Sequence, residues 1–315
     1  MTKSRVIWIA VAAAVVYAAT MIFVFSNFDL PEMSPSGWAI VGAAALAQVA
    51  AKWFFGLLFK ESVEETGQDL PAYSAFKAAL VGAGAARLIP AGGAITPVAM
   101  SWTVRGELDG KGMGTGPAVR TVLLNYAGLL IFAGGGLLLA RPRDGAQVAS
   151  VSLVVAAPFV LAFGLLLMFG SGKLGALVKL IPEKWKRRWA SSVIDHLPGV
   201  QSQVYLWARL ALEAAALGLV LHAFGIDVTW VQVIAAFGVS QLVGGLPGTP
   251  GGIGITEVGL VAVLTAYGFP SATTVGPVLI FRIISYWLPA ALSVWAGGMT
   301  FLSSEEAQAA ADKPA

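Results

Sequence analysis

Residues 244–289 read GGLPGTPGGIGITEVGLVAVLTAYGFPSATTVGPVLIFRIISYWLP, a stretch that is almost wholly apolar yet broken by proline and glycine at its most hydrophobic point. Pro247, Gly248, Pro250, Gly251, Gly252 and Gly254 do not fit inside one regular helix. Proline lacks an amide donor and clashes with the preceding turn, and glycine is conformationally loose. In hydrocarbon, the backbone groups freed by such a break have to find partners in protein or in a water-filled cavity. The stretch therefore reads as a helix that enters a membrane, stops and starts again. Glu257 lies just past the break and Arg282 lies inside the next apolar run. An ionisable residue at membrane depth is a functional candidate by default.

The rest of the chain has the composition for that setting. Of 315 residues 57% are hydrophobic and only 12% charged, and the mean hydropathy is +0.78. A soluble domain carries about a quarter charged residues. The apolar runs are long and continuous, where a β-barrel would show short alternating segments, so the expected class is an all-α polytopic membrane protein. The 37 glycines suit close helix packing and broken helices. Cysteine is absent, which excludes disulfides, thiolate metal sites and thiol catalysis. No phosphate-loop motif, HExxH or carboxylate pair at metal-binding spacing occurs. No catalytic residue, metal or cofactor is therefore expected, and any energy has to come from an ion gradient, the membrane potential or a lipid gradient.

Apolar runs near the spanning length of about 20 residues occur at about 6–26, 37–59, 120–140, 147–170, 200–223 and 274–300. The first begins like a signal peptide, but it is long enough to span and shows no convincing cleavage site, so an uncleaved span is expected. Two further runs, about 73–104 and about 230–267, are interrupted at the middle, the first by Arg87-Leu88-Ile89-Pro90-Ala91-Gly92-Gly93. These two are copies. At an ungapped offset of 160, Pro90 meets Pro250, Gly84 meets Gly244, Gly92 meets Gly252, and Ile95-Thr96 meets Ile255-Thr256. In the same register Gly116-Pro117 meets Gly276-Pro277 and Tyr126 meets Tyr286.

Lysine and arginine set the expected orientation. Lys3, Arg5, Lys60, Arg105, Lys111, Arg120 and the basic linker 171–199 fall on one side, which the positive-inside rule makes cytoplasmic, while 27–36, 224–229 and 267–273 contain none and only Arg141 and Arg143 fall on the other side. Both interrupted runs then enter and leave on one side, and on opposite sides from each other. The expected plan is an inverted-topology repeat of about six full spans plus two re-entrant helical hairpins, with both termini cytoplasmic. Residues 1–146 form the first repeat, 147–302 the second, and 303–315 a disordered tail. The alternative makes each hairpin arm a full span.

The candidate substrate-handling residues are Arg87, Pro90, Thr96 and Tyr126 in the first repeat, with Pro250, Gly251, Gly252, Thr256, Glu257, Arg282 and Tyr286 in the second. Glu257 is either a helix N-terminal partner or a group for proton coupling or for a cationic headgroup. Arg282, Tyr286 and Pro289 share a helical face, and Arg282 suits either bidentate phosphate binding or an ion pair with Glu257. Arg87, at the first hairpin tip, should face the cavity. Lys52, eight residues before Lys60, is read as snorkelling to the cytoplasmic surface. Arg209 and Glu213, four apart, are expected to pair with each other. Gln48, Asn125 and Gln241 are candidate interhelical hydrogen-bond partners. Lys184, Lys186, Arg187 and Arg188 in the linker form either a surface for anionic headgroups or a positive-inside stop signal.

Pro250-Gly251-Gly252-Ile253-Gly254-Ile255-Thr256-Glu257, followed by Arg282-Ile283-Ile284-Ser285-Tyr286-Trp287-Leu288-Pro289, resembles the flippase-like membrane domain of the lysylphosphatidylglycerol synthase/flippase family. That family carries a Pro-Gly-Gly-x-Gly-x-x-Glu segment and a later Arg-x-x-x-Tyr-Trp-x-Pro segment. The first half departs from it: Ala94-Ile95-Thr96-Pro97 has no carboxylate where members often carry Gly-Glu. The resemblance implies movement of lipid between leaflets of the cytoplasmic membrane, without aminoacyl transfer because no soluble synthase domain follows. The expected partners are membrane lipids, an anionic phospholipid or a polyprenyl-phosphate-linked lipid. A second copy of the chain and a separate synthase or glycosyltransferase are candidate protein partners, and no nucleic acid is expected. An ion-coupled carrier of a small solute and a non-catalytic membrane partner of a lipid- or glycan-modifying enzyme remain as alternatives.

Overall fold

The computed structural model describes residues 33–88, 92–108, 114–143, 151–169, 198–245 and 250–298. The regular elements among them are all helical: α1 Pro35–Glu64, α2 Ala72–Leu88, α3 Thr96–Thr103, α4 Thr115–Leu139, α5 Val151–Phe169, α6 Val200–Ala223, α7 Trp230–Gly244, α8 Ile255–Ala266 and α9 Ser271–Gly298. By length and composition α1, α4, α6 and α9 can each cross a membrane. The protein is thus an all-helical, multi-pass membrane protein. The expected span at 6–26, the linker and the tail lie outside the described residues.

Local chemistry fixes where helices start. The Ser34 hydroxyl accepts the Gly37 amide ahead of Pro35, which sits at a helical position where its missing N–H costs nothing. Thr229 and Gln232 form a reciprocal capping box at α7, and the Gln232 amide also donates to the Arg141 carbonyl at 2.7 Å. Small residues set how closely helices approach. A Cβ on Gly136 would lie 2.7 Å from Ala235 Cα, and one on Gly238 would lie 2.6 Å from the Ala133 nitrogen, so α4 and α7 touch backbone to backbone. At the bundle centre α1 and α6 lie side by side.

Each interrupted run is a helical hairpin, α2–α3 and α7–α8. Contacts place the open end of each. The α2 start packs on α1, where a Cβ on Gly56 would meet Phe76 Cα at 2.8 Å, and α3 ends beside the start of α4, near Gly114. That end also holds the Arg120–Glu65 and Lys60–Glu64 ion pairs. The second hairpin opens at the other end of α4, where the Arg143 amide donates to the Tyr267 carbonyl at 3.0 Å. The 3₁₀ turns at the two tips, Gly92–Ile95 and Pro250–Gly252, meet inside the bundle. The arms have 17, 8, 15 and 12 residues. At 1.5 Å per residue they measure about 26, 12, 22 and 18 Å, against a hydrocarbon core of about 30 Å.

The offset of 160 holds at the level of elements. It carries Thr96–Thr103 to 256–263, within Ile255–Ala266, and Ala72–Leu88 to 232–248, against Trp230–Gly244. One irregularity breaks the correspondence. In α9 the residues Ile283–Trp287 form a π turn directly after Arg282, while α4 continues as a regular α-helix through the matching positions.

Candidate functional site

The tip of the second hairpin is made possible by glycine. Gly251 and Gly252 adopt φ of 58° and 70°, a region that an L side chain enters only with strain. Space is also short: a Cβ on Gly251 would strike the Tyr286 ring and lie 3.0 Å from Arg87 Cα. The second tip therefore presses on both α9 and the end of the first hairpin's long arm.

Around the tips lies a cavity of ≈ 160 Å³. Arg87 and Thr96 line it from the first hairpin, Gly251 and Thr256 from the second, Arg282, Ser285 and Tyr286 from α9, and Tyr126 from α4. Arg282 is almost fully buried. Its Nε donates to Glu257 Oε1 at 2.7 Å, and an Nη2–H reaches the Gly251 carbonyl at 3.3 Å. The structure thus contains the ion pair, one of the two readings left open for Arg282. Glu257 sits in the first turn of α8, where a carboxylate also favours the helix dipole. Its second oxygen, Oε2, is buried without a hydrogen-bond partner among the described residues.

Arg87 is held by carbonyls instead of a carboxylate. Its Nη1 donates to Ala83 O at 2.7 Å and its Nη2 to Ser285 O at 2.8 Å, the latter across the two halves of the chain. The Tyr286 hydroxyl donates to the Arg87 carbonyl at 2.8 Å. The guanidinium carbons of Arg87 and Arg282 lie 5.6 and 5.1 Å from the centre of the Tyr286 ring, so one aromatic ring serves two cations. Arg282, Ser285 and Tyr286, three and four residues apart, line one cavity at a π turn, a feature that recurs at functional sites. Pro90, Lys184, Lys186, Arg187 and Arg188 lie outside the described residues; the Pro250 and Gly252 backbones form the second tip.

The cavity has a second wall, and there the structure departs from the sequence expectation for Lys52. Lys52 does not snorkel. It is 4% exposed, lines the cavity and pairs with Glu213 on α6. The reason is geometric: α1 continues to Glu64, twelve residues past Lys52, or about 18 Å of helix, which is beyond the reach of a lysine stem. Arg209 also approaches Glu213, at 3.4 Å, so the expected local pair is one side of a three-member cluster. Its guanidinium stacks on Phe55, with the carbon 4.5 Å from the ring centre, and its Nε and Nη1 are buried with no acceptor among the described residues. Gln48, Asn125 and Gln241 line the same space. A sequence signal for this wall existed, since Gln48/Lys52 and Arg209/Glu213 are each four apart and therefore share a helical face.

These features define an integral membrane protein with a buried, cation-rich cavity where two broken helical hairpins meet. Residues 6–293 match the family described as the lysylphosphatidylglycerol synthase TM region, and the chain belongs to that family. Among curated proteins it is similar to a UPF0104 membrane protein of Methanothermobacter thermautotrophicus, 37% identical over 81 residues, which is 26% of this chain and 24% of the relative. A second match, also to a UPF0104 membrane protein of that organism, is 28% identical over 97 residues, 30% of this chain and 28% of the relative. The matched segments thus span about a quarter of those relatives' length. Membership of the family links the chain to membrane lipids.

Proposed function

We propose that the protein is a non-enzymatic lipid flippase that moves an anionic or phosphate-bearing lipid between the leaflets of the cytoplasmic membrane. The observation that carries this reading is the placement of Arg282, buried, and Arg87, half-buried, on one cavity where the two hairpin tips meet. In this reading the hairpins are re-entrant from opposite faces of the bilayer, the termini are cytoplasmic, and the tips meet near the midplane. That is where a charged headgroup needs a partner most. A cavity of ≈ 160 Å³ is below the range of about 300–1,000 Å³ for sites that enclose a drug-sized ligand. It suits a headgroup phosphate whose acyl tails stay in the bilayer.

The exchange follows from the pairing. Glu257 holds Arg282 while the site is empty, and an arriving phosphate takes its place on the guanidinium fork. Each buried charge then keeps a partner throughout; breaking a buried pair by removing one member costs about 3–5 kcal/mol. The test is reconstitution of the purified protein into vesicles carrying a fluorescent anionic phospholipid in the inner leaflet. Wild type should speed its appearance outside, and Arg282→Ala should reduce the rate to that of protein-free vesicles. Uptake of a soluble anion without any lipid movement would replace the flippase with a small-solute carrier.

A further inference from the structure

Among the described residues, Lys52, Arg87, Arg209 and Arg282 are the cations on this cavity, and Glu213 and Glu257 are the carboxylates bonded to them. The cavity therefore carries an excess of two positive charges. The carboxylates are not distributed evenly. Glu257 serves Arg282 alone, Glu213 is shared by Lys52 and Arg209, and Arg87 has only carbonyl acceptors. The second wall in particular holds more donors than it satisfies: among the described residues, Arg209, 8% exposed, keeps two buried N–H groups, on Nε and Nη1, without an acceptor. The Gln48 side-chain amide nitrogen, 1% exposed and one helical turn from Lys52, is unpaired in the same way. Buried cations in excess are costly until an anion of matching charge joins them.

We infer that the cavity is built for a dianionic phosphate, a phosphomonoester or diphosphate group, gripped between Arg87 and Arg282 on one side and the Lys52–Arg209 wall on the other. A phosphodiester carries a single negative charge and leaves the cavity positive. A phosphomonoester carries about −1.5 to −2 near neutrality, with a second ionisation near pH 6 and three strong acceptor oxygens. Those oxygens match donors on two walls, where one arginine offers only one fork. The inference rests on the flippase reading of the cavity and narrows its cargo. The same chemistry is offered by a lipid phosphomonoester and by free inorganic phosphate. Lys52 and Arg209 act here as binding residues, and Glu213 sets the charge count by neutralising one of them.

The test uses the full chain purified in detergent at about pH 8, where the monoester is doubly charged, and calorimetric titration with three probes: dihexanoyl phosphatidic acid, dihexanoyl phosphatidylglycerol and inorganic phosphate. The phosphomonoester lipid should bind at least about tenfold tighter than the phosphodiester. Arg209→Gln lowers the charge excess to one and should bring the two lipids to parity, while Arg209→Lys should restore the preference. Glu213→Gln raises the excess to three and should tighten monoester binding beyond wild type. A merely structural role would weaken binding in Arg209→Gln and Glu213→Gln alike. Equal affinity for both lipids in wild type, or changes of the same sign in those two variants, overturns the inference. Should Glu213→Gln fail to fold, the Arg209→Gln and Arg209→Lys pair decides alone. Inorganic phosphate binding as tightly as the lipid supports the dianion site and assigns it to a free anion; weaker binding assigns it to a lipid. Monoester and diester bound equally well, with lipid still moved in the vesicle assay, would sink the dianion and leave the flippase, whereas neither lipid bound nor moved would sink both.

Discussion

The two hairpins share a backbone plan and differ in the charges they bring to it. At the offset of 160, the residue matching Arg87 is Pro247, and the residue matching Glu257 is Pro97. The paired tyrosines show the frame. Tyr126 lies with its hydroxyl against Gly93 of its own repeat's tip and Gly245 at the end of the other repeat's arm. Tyr286 lies with its ring against Gly251 of its own tip, and its hydroxyl donates to Arg87 at the end of the other arm. Each tyrosine thus bridges its own tip to the opposite arm. The helical elements correspond at one offset, and the charges do not: one hairpin supplies a carboxylate, the other a guanidinium. The repeat decides where the tips meet, and the departures from it make the site.

The largest effect expected from this comparison is all-or-none. If the hairpins enter from opposite faces, Glu107→Cys, beyond the first hairpin, should be labelled only from the cytoplasm by an impermeant maleimide. Asp227→Cys, ahead of the second, should be labelled only from outside. Both positions are exposed, and the chain has no native cysteine to confuse the result. Labelling of both from one side would remove the inverted plan.

Next in size come the two arginines. Arg282→Ala leaves Glu257, half-buried with its Oε2 shielded, without its partner, at a cost of up to about 3–5 kcal/mol, and should abolish translocation. Arg282→Lys should rescue it partly, because an ammonium lacks the planar fork. Arg87→Ala strands no carboxylate, only the carbonyls of Ala83 and Ser285. It should slow translocation by about tenfold to a hundredfold, matching the 1.5–3 kcal/mol of a hydrogen bond to a charged group. An Arg87→Ala defect as complete as that of Arg282→Ala would make the two tips functionally equivalent, against the asymmetry argued above.

The glycines of the two tips separate conformation from space. Gly251→Ala faces both a left-handed φ and the Tyr286 ring. A non-glycine residue in that region costs of order 1–3 kcal/mol before any clash. A Cβ on Gly93 would meet the Tyr126 hydroxyl, the far end of a side chain that can shift, and Gly93 has no positive φ. Gly251→Ala should therefore lower the thermal unfolding midpoint clearly more than Gly93→Ala, and similar shifts would mean that the second tip is not the strained one.

What the sequence made legible follows the range of the physics involved. The membrane class came from composition and run length, and the breaks came from proline and glycine, whose backbone limits need no tertiary information. The pairing of Arg282 with Glu257 stood among the sequence alternatives because both flank the same broken helix. The Lys52–Glu213 pair did not, since its members are 161 residues apart and meet only because α1 lies against α6. Taking Lys60 as the membrane edge shortened α1 by a turn and made Lys52 look superficial, when its neighbour in space was a buried carboxylate. The π turn at Ile283–Trp287 left no mark either, because Ile-Ile-Ser-Tyr-Trp is an ordinary apolar helical run; only the packed structure shows the turn, with Ser285 and Tyr286 on the cavity.

The smallest expected effect tests the tyrosine bridge, and it does so without touching a charge. Tyr286→Phe keeps the ring that faces Arg87 and Arg282 and removes only the hydroxyl that donates to the Arg87 carbonyl at 2.8 Å. A neutral hydrogen bond of this kind is worth about 0.5–1.5 kcal/mol, so translocation should slow by about twofold to tenfold with headgroup affinity little changed. The Tyr126 hydroxyl makes no hydrogen bond among the described residues, although it occupies the matching place between Gly93 and Gly245. Tyr126→Phe should therefore stay within about 0.5 kcal/mol of wild type, the range of a substitution away from any specific interaction. The informative quantity is the difference between the two variants in one vesicle preparation. If Tyr126→Phe slowed transport as much as Tyr286→Phe, the two bridges would be working alike. The departure from twofold symmetry at the tyrosines would then be confined to the resting structure, leaving the charges alone to tell the hairpins apart.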